Sequence, residues 1–113
     1  MQFLALIYNV ENSEDVDMPT LIAQYNAFSE EAGAAGVLAG GNALEPVSTA
    51  TSIQVRSGNS SYTDGPFAET KEQLGGYFML ECANLDEALT WASKIPTARY
   101  GTIEVRPVMV FDD

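Results

Sequence analysis

The sequence predicts an α+β domain, a split βαβ sandwich with two helices on one flank of a four-stranded sheet. Three observations carry this. Residues 2–10 (QFLALIYNV) and 77–83 alternate their side chains between two faces, as strands do. Residues 19–35 and the stretch after Asn84 instead repeat apolar residues every three or four positions, the spacing of a helix face. The chain order is strand and helix, then strands, then strand, helix and strand, which is the order of a ferredoxin-like sandwich. The 113 residues suit a single domain over 1–113.

Each element has its own grounds. In the first strand Phe3, Ala5 and Ile7 face one way, and Leu4, Leu6 and Tyr8 the other. Both sets are largely apolar, so this strand is central rather than an edge. An acidic loop over 11–18 follows, and Asp17 stands where it can cap a helix that begins at Pro19. Leu21, Tyr25, Phe28 and Ala32 form that helix's stripe, and Gly36 ends it. Residues 37–41 read as a short strand bent at its glycines. After a connector over 42–50, residues 51–57 alternate Ile53 and Val55 with Gln54 and Arg56, a further strand. Thr63-Asp64-Gly65-Pro66 reads as a turn, with a charged loop behind it. Gly75-Gly76 lets the backbone pass close to a neighbour as the next strand begins.

In that strand Phe78, Leu80 and Cys82 share one face, and Tyr77, Met79 and Glu81 the other. Asn84 and Glu87 make a capping-box-like start to the second helix. Its predicted buried stripe is Leu85, Ala88, Leu89 and Ala92, with Trp91 at the margin and Pro96 as the stop. Ile103 and Val105 alternate with Glu104 and Arg106 in the last strand. Two helices cover one flank of such a sheet. The other flank carries Tyr77, Met79, one side of the first strand and a few charges. A soluble monomer avoids leaving a face of that kind wet, so a homodimer packed through it is expected.

Composition excludes several functions. Sixteen acidic residues against five basic ones give a net charge of −11. That balance argues against nucleic acid and against anionic membranes as partners. There is no histidine, which removes the commonest general base and the commonest metal ligand together. Cys82 is the lone cysteine and lies in an apolar run, so it reads as a small buried hydrophobe. The N-terminus is too short and lacks the basic start of a signal peptide, and no apolar run reaches membrane-spanning length. A cytoplasmic protein is expected. No P-loop, dinucleotide glycine pattern, nucleophile elbow or EF-hand spacing occurs, so no cofactor and no metal are expected.

The stretch "DGPFAETKEQLGGYFMLE" at 64–81 resembles the signature of the DGPF-domain branch of the YCII-related family. "ARYGTIEVRPV" at 98–108 and the opening "FLALIY" are similar to that family as well, so the resemblance spans nearly the whole chain. It implies a dimeric α+β barrel, in which two ferredoxin-like protomers turn their sheets toward each other. It also implies a pocket built around a His–Asp pair, but this sequence has no histidine to fill that role. The resemblance further implies a neighbourhood of extracytoplasmic-function sigma factors, an association rather than a mechanism.

Candidate site residues follow, each beside its plainer reading. Asp64 is a turn former or an acid–base group. Glu69, Lys71 and Glu72 are a solvated charge run or the polar wall of a cleft, with Lys71 its one cation. Glu81 shares a face with Tyr77 and Met79, where a carboxylate must be paired or carry a raised pKa. With Arg56, Glu104 and Arg106 it forms either an interfacial ion-pair network or a cleft. In the cleft, Arg56 or Arg106 holds an anionic ligand while Glu81 or Asp64 moves protons. Tyr8 supplies a hydroxyl, and Arg99 and Tyr100 close the rim. The function expected is thus a small-molecule-binding protein, or a cofactor-independent enzyme, using the cleft of a dimer. The alternative is a non-catalytic regulatory or protein-interaction module linked to sigma-factor-dependent transcription.

Overall fold

The computed structural model describes residues 1–13 and 16–112. Its elements are β1 (Gln2–Asn9), α1 (Met18–Ala34), β2 (Leu38–Ala43), β3 (Thr51–Arg56), β4 (Asn59–Asp64), β5 (Gln73–Glu81), α2 (Leu85–Ala92) and β6 (Thr102–Pro107). Four strands form an antiparallel sheet in the order β2-β5-β1-β6. With both helices on one flank, this is the ferredoxin-like α+β sandwich. β1 is central, because both of its faces carry apolar side chains.

The helices start where their caps place them. The Asp17 carboxylate accepts from the Thr20 backbone amide at 3.2 Å, and the Asn84 side chain from that of Glu87 at 2.9 Å. Gly36, at φ +72°, takes the chain out of α1. Phe3, Ala5 and Ile7 of β1 and Leu80 of β5 meet Phe28 and Ala32 of α1 and Ala88 and Ala92 of α2 in one buried core. Phe28 sits 5.1 Å from the Phe78 ring and edge-on to Trp91. Cys82 is buried there, and burial, aided by the Glu87 and Glu81 carboxylates, pushes its thiol pKa up. That suits packing rather than nucleophilic work. At Gly76 an added Cβ would lie 2.9 Å from the Asn42 carbonyl oxygen, so β2 and β5 meet at a distance only glycine permits.

Three expectations need correction. Thr63 and Asp64 read as part of a turn, but they end β4, whose residues 59–62 had no element predicted for them, and they pair with Ser52 and Thr51. The turn proper begins at Gly65 (φ +92°). β3 does not join the main sheet. It pairs with β4 alone, as a ribbon inserted between the second and third strands of the sandwich. Arg56 therefore sits at the ribbon tip and not on the face shared by Glu81 and Arg106. In α2 the buried residues are Ala88 and Ala92, while Leu85 and Leu89 are exposed. The helix is two turns long and lies on the sheet through its small residues.

Candidate functional site

A cavity of about 430 Å³ opens between α1 and the β2–β5 edge of the sheet. Its apolar wall comes from Ile7, Leu21, Ile22 and Phe78, with Met18 and Ile22 exposed beside it. The glycines at 41, 75 and 76 bring bare backbone to the strand side. Asn9, Asn26, Tyr25 and Thr97 supply polar groups, while Asn42 and Tyr77 border the cavity from strands whose register turns their side chains to the other face. None of the lining residues carries a formal charge at neutral pH.

Tyr25 and Thr97 set the polar end. Tyr25 is on the inner side of α1, and Thr97, which is 3% exposed, lies in the 3₁₀ turn Pro96–Arg99 before β6. Their hydroxyls share a 2.5 Å hydrogen bond. Burial raises the Tyr25 pKa, and the bonds with Thr97 only partly oppose it, so the phenol is neutral at physiological pH. A neutral buried phenol is a directed hydrogen-bonding group rather than a base. On the opposite, open face of the sheet the Asn42 amide donates to the Tyr77 hydroxyl at 2.9 Å, so the register turns both side chains away from the cavity.

A second, more polar cleft of about 220 Å³ lies at the start of α1 between Asp17, Thr20, Gln24, Arg99 and Tyr100. Among the described residues no cluster of three or more His, Cys, Asp or Glu side chains is placed to hold a metal.

None of Tyr8, Arg56, Asp64, Lys71, Glu81 and Arg106 lines the larger cavity. The strand register groups them differently. Leu4 stands opposite Met79 and Arg106, Leu6 opposite Tyr77 and Glu104, and Gln2 opposite Glu81. Tyr8, Glu81, Glu104 and Arg106 therefore share the flank that the helices leave open. There Arg106 pairs with Glu104 at 3.6 Å, and Glu81 with the N-terminal amine at 3.3 Å, all with solvent access. Asp64 and Arg56 lie on the ribbon, and Lys71 on the exposed loop before β5. Near Lys71 the Glu72 carboxylate accepts from Thr102 at 2.8 Å, which fastens the loop to β6.

Sequence reasoning placed Tyr25 in the helix stripe and passed over Thr97. The available signal was a tyrosine inside an apolar stripe, since a buried phenol needs a hydrogen-bond partner from another element.

Fold and cavity together define an α+β sandwich with a mainly apolar pocket under its first helix. A family model for the YCII-related domain matches residues 1–112, and the chain belongs to that family. An uncharacterized protein, R00369, of Rhizobium meliloti (strain 1021) is 35% identical over 98% of this chain and 94% of its own length. Among solved structures, 5-chloro-2-hydroxyhydroquinone dehydrochlorinase (TftG) from Burkholderia phenoliruptrix AC1100, in complex with 2,5-dihydroxybenzoquinone, shares the fold. Its TM-score is 0.56 at 16% identity, covering 96% of this chain and 94% of that one. Among the described residues no helix is long and apolar enough to cross a membrane.

Proposed function

We propose that this protein binds a compact, mainly apolar organic molecule bearing one or two hydroxyl or carbonyl groups, seated between α1 and the β2–β5 edge. The observation that carries the reading is the cavity of about 430 Å³ with the Tyr25–Thr97 pair at its wall. Its size and apolar lining suit a small organic ligand, and its few polar groups suit orientation of that ligand. Tyr25 meets a ligand oxygen as a neutral hydroxyl, and Thr97 holds the phenol in place. The solved relative in fold that holds 2,5-dihydroxybenzoquinone supports a ligand of this size and kind.

Tyr25 is the ionisable side chain that the helix side of the lining offers, which supplies binding and orientation more readily than proton transfer. A homodimer closed over the open flank would desolvate the Glu104–Arg106 pair and bring Tyr8 and Glu81 to its seam. Roles for Asp64, Arg56 and Lys71 at a ligand require the ribbon or loop of one copy to reach another.

Calorimetric titration with 2,5-dihydroxybenzoquinone and simple dihydroxybenzenes tests the reading. Saturable binding is expected. Leu21→Trp, which fills the cavity, should weaken it at least tenfold, and Arg106→Ala on the open flank less than twofold. The reverse ranking would put the ligand on the open flank. Failure of every probe to bind would overturn the ligand class.

A further inference from the structure

The smaller cleft, of about 220 Å³ at the start of α1, brings two opposite charges to one space. Asp17 enters it from the residue before α1, and Thr20, Leu21 and Gln24 from the helix itself. Arg99 closes the other side at the end of the 3₁₀ turn Pro96–Arg99, with Tyr100 directly after it. That side is pinned to the sheet. The amides of Tyr100 and Gly101 both donate to the Thr97 carbonyl, at 3.2 and 2.7 Å. Gly101 passes so close to β1 that an added Cβ would collide with the Tyr8 carbonyl oxygen.

The two charges border this space without pairing. No ion pair joins Asp17 to Arg99, and among the described residues the Arg99 guanidinium bonds no acceptor. Asp17 uses its Oδ2 for the amide and hydroxyl of Thr20, which leaves Oδ1 open. The Gln24 side-chain amide and the Tyr100 hydroxyl also make no hydrogen bond among the described residues. One wall thus offers a free carboxylate oxygen to a donor, and the other a planar fork of N–H groups to an acceptor.

Charge narrows the class of molecule that fits. A lone anion would meet Arg99, but also the Asp17 carboxylate and a chain of net charge −11. A lone cation would meet Asp17, but also Arg99. A dipolar group satisfies both walls and carries no net charge for the acidic body to repel. The α-ammonium and α-carboxylate of a free amino acid form such a group. Val16 and Leu21 supply the apolar part of the lining, which suits an apolar side chain.

We propose that the cleft between Asp17 and Arg99 binds a free α-amino acid with an apolar side chain, its carboxylate on Arg99 and its ammonium on Asp17. Gln24 and Tyr100 serve the remaining hydrogen bonds of the two charged groups. The proposal stands independently of the ligand read into the larger cavity.

Calorimetric titration of the full chain with L-phenylalanine and L-leucine tests it. The comparison probes are 3-phenylpropionate and 4-methylpentanoate, which lack the ammonium, and 2-phenylethylamine and 3-methylbutylamine, which lack the carboxylate. Saturable binding of at least one amino acid is expected, with its acid and its amine each at least tenfold weaker. Arg99→Gln should weaken the amino acid at least tenfold and abolish its advantage over the amine. Asp17→Asn keeps a capping side chain at the start of α1. It should weaken the amino acid at least fivefold and abolish its advantage over the acid. Arg106→Ala, which removes a cation elsewhere, should change the affinity less than twofold. Far-ultraviolet circular dichroism checks that each variant stays folded. Failure of both amino acids to bind at about 10 mM, an acid or amine that binds as tightly as its parent, or binding indifferent to Arg99 or to Asp17 would each overturn the proposal.

Discussion

The two flanks of the main sheet differ in what they hold. The helix-covered flank has the cavity and no formal charge along its lining, while the open flank has Glu81, Glu104 and Arg106 in contact with solvent. Ionisable residues drew the sequence-based candidates to the open flank (Tyr8, Glu81 and Arg106), the ribbon (Arg56 and Asp64) and the loop before β5 (Lys71), because acids and bases are what chemistry ordinarily needs. The cavity opens where a helix stands off a sheet, at an edge where Gly41, Gly75 and Gly76 withhold side chains. A charge pattern shows where protons could move, and only packing shows where a molecule could sit.

Stability measurements should separate the flanks most sharply. Leu80→Ala, at a fully buried position under the helices, is expected to cost about 2–5 kcal/mol in urea unfolding. Met79→Ala, one residue away on the open flank, should cost well under half of that in the single chain. Equal costs would mean that the open flank is packed as tightly as the covered one.

A smaller effect tests the glycine edge of the cavity. Gly76→Ala would press a Cβ against the Asn42 carbonyl and should destabilise by about 1–3 kcal/mol. An unchanged midpoint would mean that β2 shifts freely and that the cavity wall is soft. Asn84→Ala, which leaves the Glu87 amide without its cap at the start of α2, should cost about 1 kcal/mol. Lys94→Ala comes last. The ammonium bonds Glu31 at 2.6 Å and stands 4.7 Å from the Trp91 ring, but the pair is exposed, so less than about 1 kcal/mol is expected.

Alkali should act on the covered flank first. Burial raises the pKa values of Tyr25 and Cys82 in the folded chain, above ordinary values of 10.0 and 9.0. As pH climbs, the unfolded chain releases these protons before the folded one does. Their contribution to stability is thus complete below about pH 9 and is lost as pH rises toward the folded values. Tyr25→Phe should flatten the upper part of that decline in a melting-temperature profile against pH. An unaltered profile would mean that the phenol ionises as if in water.

The fold was legible wherever a segment carried its own reason to be buried. Phe3, Ala5 and Ile7 alternate because they line the core, and Asp17 and Asn84 cap because the first turns of α1 and α2 need acceptors. β4 was missed because Asn59-Ser60-Ser61-Tyr62-Thr63-Asp64 has a single large apolar side chain and meets no core of its own chain. Its one local sign was Ser57-Gly58 between two candidate strands. The α2 stripe was overdrawn because helical spacing alone does not say how closely a helix lies on a sheet. Ala88 and Ala92 come down onto the sheet and leave Leu85 and Leu89 outside. Of the site, Tyr25 was visible as a stripe residue. Its partner Thr97 lies 72 positions along the chain and became visible only in three dimensions.

The central claim is that a ligand sits under α1 and not on the open flank, and a two-dimensional amide NMR titration tests it most directly. With 2,5-dihydroxybenzoquinone as probe, the shifts should concentrate at Ile22, Tyr25, Gly76 and Thr97 and leave Leu4, Glu104 and Arg106 in place. Shifts centred on Leu4, Glu104 and Arg106, with the α1 amides unmoved, would contradict it.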